Sequence, residues 1–107
     1  MPTAIEKTIR LNQLYDFYGL LLTEKQRTYF LHYFQDDYSL SEIAQVLGVS
    51  RNAAFDQIQT AIDHLETYEQ HLRLLEKHQS RMEILQTMKA LEDPRIQTLI
   101  DELERLE

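Results

Sequence analysis

Cysteine and tryptophan are absent from this 107-residue chain, and glycine and proline occur twice each. The 11 basic residues are outnumbered by 18 acidic ones, for a formal net charge of −7. Lack of cysteine excludes a disulfide scaffold, a thiolate zinc site and a cysteine nucleophile. Scarcity of glycine and proline leaves too few turn residues to connect strands, so helix is the economical expectation. The hydrophobic residues, 43% of the chain, are interspersed with charges. That pattern fits neither a disordered chain nor a membrane-inserted one. A positively charged start followed by an apolar run is also missing, so no secretory signal and a cytoplasmic location are expected. No glycine-rich phosphate loop, Ser-His-Asp order or acid/base pair stands out, so the expectation is a non-enzyme with no cofactor and no metal.

What is present is a series of helix starts. Thr3-Ala4-Ile5-Glu6, Thr23-Glu24-Lys25-Gln26 and Ser39-Leu40-Ser41-Glu42 are capping boxes, in which the hydroxyl accepts from the backbone N–H three residues on and the Glu or Gln reaches back. The first is expected to open a helix burying Ile5, Ile9, Leu14 and Phe17 or Tyr18, with Gly19 as a left-handed stop. The second opens a helix carrying Tyr29, Phe30, Tyr33 and Phe34, which Asp36-Asp37 closes in a turn. The third opens a short helix with Ile43, Ala44 and Leu47, ended by Gly48. From Arg51 to Asp93 there is no glycine or proline. Ala54, Ile58, Ile62, Leu65, Tyr68, Leu72 and Leu75 advance there in threes and fours, as on a helix that buries one side. Ser80-Arg81-Met82-Glu83 is a further capping box, so a break near Gln79 is expected; one helix through this stretch is the alternative. Asp93-Pro94 caps a last helix with Ile96, Leu99, Ile100, Leu103 and Leu106.

Residues 39–62 carry the most information. A short helix, then Leu47-Gly48-Val49-Ser50, then a second helix is the helix-turn-helix pattern. Ala44 is small where the helices meet, Gly48 takes the left-handed turn cheaply, Val49 fills the space under the turn and Ser50 caps the second helix. The fold expected is therefore all-α: a helix-turn-helix bundle over residues 1–65 and a helical C-terminal extension over 66–107.

Residues 39–62 resemble region four of bacterial sigma factors, the segment that reads promoter DNA. A wider set of residues resembles the YlxM-like family of small bacterial proteins. These are Glu6-Lys7-Thr8, Leu14-Tyr15-Asp16-Phe17-Tyr18-Gly19, Leu22-Thr23-Glu24-Lys25-Gln26-Arg27 and the helix-turn-helix. The resemblance covers about residues 5–75. It implies a sigma-region-four-like fold and a place in the signal recognition particle pathway, because the family's genes tend to lie beside the gene for the particle's GTPase. That GTPase and its RNA are the partners it implies.

A helix-turn-helix presents the exposed residues of its second helix, here Arg51, Asn52, Phe55, Asp56, Gln59 and Thr60. Arg51 could fork onto guanine and Asn52 or Gln59 onto adenine. Charge opposes that use. Between Asp36 and Glu66 one arginine faces six acids, a local balance of −5, whereas DNA binders draw much of their affinity from neutralised phosphates. Sigma region four often carries basic residues where Phe55, Gln59 and Thr60 stand, and the YlxM-like pattern commonly has them at the last two positions. An exposed phenyl ring suits a protein interface better than a charged groove. The expectation is thus a regulatory or adaptor protein acting mainly through protein contacts, with RNA contacts a lesser option and a sequence-specific DNA-binding regulator as the alternative.

Eight of the ten aromatic residues fall between Tyr15 and Tyr38, which points to an aromatic core between the first two helices. His64, His71 and His78 are spaced by seven on an expected common face, too far apart to ligate one metal ion. Leu72, Leu75, Met82, Leu85, Met88, Leu91 and the apolar residues of the last helix are too many to leave wet. They either fold back or pair with a second chain, and a homodimer is expected.

Overall fold

The computed structural model describes residues 3–107, and all regular structure among them is helical. The helices are α1 (Ala4–Tyr18), α2 (Glu24–Phe34), α3 (Leu40–Leu47), α4 (Arg51–Leu72), α5 (Leu74–Lys89) and α6 (Pro94–Arg105), with a 3-10 turn over Gly19–Leu21. The chain divides into two compact units, Met1–Arg73 and Leu74–Glu107. The expected boundary at residue 65 lies inside α4, which runs on for two more turns.

The helix starts follow the local chemistry. Thr3, Thr23 and Ser39 each accept from the backbone N–H of the residue three ahead, and Glu6, Gln26 and Glu42 return the bond. The Ser50 Oγ accepts from the Ala53 N–H at 3.0 Å. Each cap satisfies amides that the first turn leaves without an intrahelical partner, which typically contributes about 1 kcal/mol.

In the first unit α4 is the central element, packed against α1, α2 and α3. Its buried line is Ala54, Ile58, Ala61, Leu65 and Glu69, while Leu72 at its end is exposed. Tyr29, Ile43, Ala54 and Ile58 form the core beneath the helix-turn-helix, with Phe34, Leu47, Val49 and Ile62 packed around them. The aromatic residues fill the space between α1 and α2: the Tyr15 and Phe30 rings stack with centroids 4.9 Å apart, and Phe34 lies 4.6 Å from Phe30. Polar bonds brace the C-terminal part of α4. Arg10 forms a forked pair with Glu66 (3.1 and 2.9 Å), Tyr18 donates to the buried Glu69 carboxylate at 2.6 Å, and Gln26 Nε2 donates to His64 Nδ1 at 3.3 Å. The hydrogen bond to Glu66 also holds the Arg10 proton more tightly than usual.

Four expectations are corrected. First, of the residues expected on the buried side of α1, Leu14 and Tyr18 are buried but Ile5 and Ile9 are exposed. At about 100° per residue, Leu14 lies half a turn round the helix from Ile5, so one face cannot bury both. Second, Gly19 is not a left-handed stop: its φ is −55°. It is needed for space, because a Cβ there would lie 2.8 Å from Tyr15 Cζ. The Tyr15 ring is stacked on Phe30 and yields poorly, so Gly19→Ala should lower stability by about 1–3 kcal/mol in urea unfolding. Third, the break after α4 falls at Arg73, with φ 57°, and α5 runs unbroken through Gln79 and Ser80. The Ser80 box has no glycine or proline to enforce a stop, and Gln79, Arg81, Met82 and Glu83 keep their helical bonds. Fourth, His64 and His71 lie on α4 but His78 on α5, so the three do not share one helix.

Gly48 meets its expectation, with φ 69° and ψ 36° and its N–H bonded to the Ala44 carbonyl. Asp37 supplies the left-handed residue of the turn after α2.

In the second unit α5 and α6 pack as a helical hairpin. Asp93 caps α6 through the Arg95 N–H, with Pro94 at the first position. Hydrogen bonds from the Arg95 guanidinium, and then from its backbone N–H, hold the Asp93 carboxyl below the usual carboxylate range. Because the folded value is depressed, this contribution to stability is complete above the unfolded carboxylate value and is lost as pH falls through the folded one. Helicity should therefore decline more steeply on acidification in the native chain than in Asp93→Asn, as followed by circular dichroism.

Candidate interaction surface on the helix-turn-helix

The turn Gly48–Ser50 sets α3 against α4, and the buried line of α4 decides what is left outside. Ala54, Ile58 and Ala61 point into the core. Arg51, Asn52, Phe55, Asp56, Gln59 and Thr60 lie between those positions, and all six are exposed on the N-terminal half of α4. Phe55 keeps half its surface in solvent, in contrast to the fully buried Phe30. An exposed aromatic ring set among polar side chains is a residue type that anchors protein interfaces.

The polar members differ in what they can offer. Gln59 Nε2 donates to Asp63 Oδ1 at 3.0 Å, and the Thr60 hydroxyl donates to the Asp56 carbonyl at 2.8 Å. Both side chains are thus engaged within their own helix and would have to release those bonds to meet a base edge. Arg51 has no ion pair among the described residues and stands at the exposed start of α4. Of the acids in this region, Glu66 is neutralised by Arg10, and Asp36 Oδ2 lies at hydrogen-bond distance, 3.0 Å, from His32 Nδ1. Asp37, Glu42, Asp56 and Asp63 are exposed and have no cationic partner among the described residues, so acids outnumber free cations in this region.

Two features escaped the sequence. Val46, on α3, is more than half exposed and adds to the apolar character of the helix-turn-helix. An open cleft of about 380 Å³ lies where α1, α2 and α3 meet, lined by Tyr33, Phe34, Tyr38, Asp37 and Glu42 together with Thr8 and Ser39. Periodicity placed all of its rings in the core, yet Tyr33 is 38% exposed. The one available signal was the pair of acids following the aromatic run. Among the described residues, no cluster of His, Asp and Glu is arranged to hold a metal ion. No described helix is long and apolar enough to cross a membrane.

Fold and surface together define a helix-turn-helix protein whose second helix presents a polar face with an exposed aromatic ring at its centre. The family model described as "Putative helix-turn-helix protein, YlxM / p13 like" matches residues 5–105, and the chain belongs to that family, UPF0122. It is 45% identical over 109 residues to the UPF0122 protein YlxM of Bacillus subtilis (strain 168), covering 97% of this chain and 99% of the relative. It is 47% identical over 109 residues to a UPF0122 protein of Geobacillus sp. (strain WCH70), covering 96% and 99%. A UPF0122 protein of Bacillus licheniformis is 46% identical over 106 residues, covering 97% and 99%.

Proposed function

We propose that this chain is a non-enzymatic regulatory or adaptor protein of the signal recognition particle pathway. In this reading it acts through protein contacts made by the helix-turn-helix, and through contacts to the particle's RNA made elsewhere on its surface. The observation that carries it is the exposed Phe55 ring in a segment, residues 36–66, whose charges are mainly acidic. Such a face repels a polyanion and favours a partner with a basic surface and an apolar pocket for the ring. The acid-and-aromatic cleft beside α3 has the same preference, since a guanidinium or ammonium group is attracted both to carboxylates and to ring faces. The place in the pathway rests on the resemblance to the YlxM-like family.

A sequence-specific DNA-binding regulator is the second reading, favoured by the unpaired Arg51 at the start of α4. The test is co-purification of the tagged full chain from its native cytoplasm, with bound protein and RNA identified. The particle's GTPase, captured by the native chain and lost on Phe55→Ala, is the expected result. Recovery of chromosomal DNA, lost on Arg51→Ala, would replace the first reading with the second.

A further inference from the structure

We propose that the α5–α6 hairpin is a self-association surface, on which two copies of this chain pack face to face as a four-helix bundle. The hairpin has two unlike faces. One carries a cleft floored by Met82 and Leu85 and edged by His78, Gln86, Lys89 and Glu104, where Lys89 Nζ and Glu104 Oε1 lie 2.6 Å apart. The other carries a groove of about 110 Å³ walled by Ile84, Leu85, Met88 and Leu103, with Arg81 and Glu107 beside it. Ile84, Met88 and Leu91 on α5 are spaced by four and three, and so are Leu99, Leu103 and Leu106 on α6. That alternation is the seam of helices meant to pack against other helices. The seam is not covered: Ile84 is 61% exposed, Leu91 63%, and Leu106 84%, with Leu99 and Leu103 about half exposed.

Area and size select the occupant. The five exposed aliphatic residues present on the order of 500 Å² of apolar surface, at the upper end for one patch on a monomer and over half of the roughly 800 Å² per partner in a standard interface. The unit Leu74–Glu107 is shorter than the ~40 residues below which oligomerisation is usually needed to hold a fold. A second copy answers both needs, because a two-fold axis lets each hairpin offer its own apolar stripe to the same stripe of its partner. Arg81 and Glu107 beside the groove pair with each other at 2.8 Å, so the rim sets no unmatched charge against a second copy.

The experiment is light scattering on the full native chain through the micromolar range, with helicity recorded in parallel. Twice the single-chain mass is expected, falling to the single-chain mass in the Ile84→Glu/Leu103→Glu double variant at native helicity. Should the double variant lose helicity, Leu106→Lys decides, since a side chain so exposed in the single chain carries little of its fold. A dimer dissociation constant raised at least about tenfold supports the proposal, and an unchanged one overturns it. A native chain of single-chain mass overturns it, with the hairpin covered within one chain or by another protein. A dimer that persists in the well-folded double variant overturns it too, because association would then use another surface.

Discussion

Phe55→Ala is expected to abolish capture of the signal recognition particle GTPase while leaving helical content and melting temperature unchanged. The ring lies on the outer side of α4, half in solvent, and belongs to no buried cluster. Its truncation removes little that the fold uses, so stability should move by no more than about 0.5 kcal/mol. At an interface the same ring behaves differently. A central aromatic anchor that becomes fully desolvated typically costs about 2 kcal/mol or more when truncated, at least a roughly 30-fold loss in affinity. Isothermal titration of the GTPase with native and Phe55→Ala chains measures it. Unchanged affinity with an intact fold would remove the ring from the interface.

Phe30→Ala reverses that pattern. Phe30 is completely buried, stacked on Tyr15 and in contact with Phe34, at the junction where α2 meets α1. Removing it deletes the transfer free energy of a whole ring and leaves a cavity that the two flanking aromatic rings can fill only in part. Such truncations cost about 3–5 kcal/mol. A small domain has only about 5–15 kcal/mol in total. At roughly 4–8 °C per kcal/mol for a domain of this size, the melting temperature should fall by at least about 12 °C. Calorimetry checks the figure. A shift of a few degrees would mean that the aromatic cluster is not the core of the first unit. Together the two phenylalanines separate fold from function: identical chemistry, opposite readouts.

Much of the fold was legible because its signals are local. Three of the four capping boxes, Ser50, Asp93-Pro94 and the left-handed Gly48 each act within four residues and appear where the sequence places them, whereas the equally local Ser80 box opens no helix. What was misread depends on less local terms. Ile5 and Ile9 have the right spacing from each other but the wrong phase relative to Leu14, and a count of apolar steps does not see phase. Gly19 was read for its backbone freedom, whereas its cause is a Tyr15 ring that only the packed structure brings against it. The break at Arg73 has no local signal at all: an arginine in the left-handed region costs about 1–2 kcal/mol, so propensity would never place it there. The outer face of α4 was readable in residue type and position, since exposure follows from the buried stripe at Ala54, Ile58 and Ala61. Its ligand is less readable. The sign of the charge was legible, but the pairing of Glu66 with Arg10 and the cleft at Tyr33 and Glu42 arise from contacts between distant segments.

The most direct measurement is fluorescence anisotropy of a labelled random-sequence DNA duplex titrated with the full chain at several salt concentrations. An acidic helix-turn-helix predicts no saturable binding near physiological ionic strength and no appreciable change on Arg51→Ala. Tight binding whose logarithm falls steeply with the logarithm of salt, and which collapses on Arg51→Ala, would contradict the account.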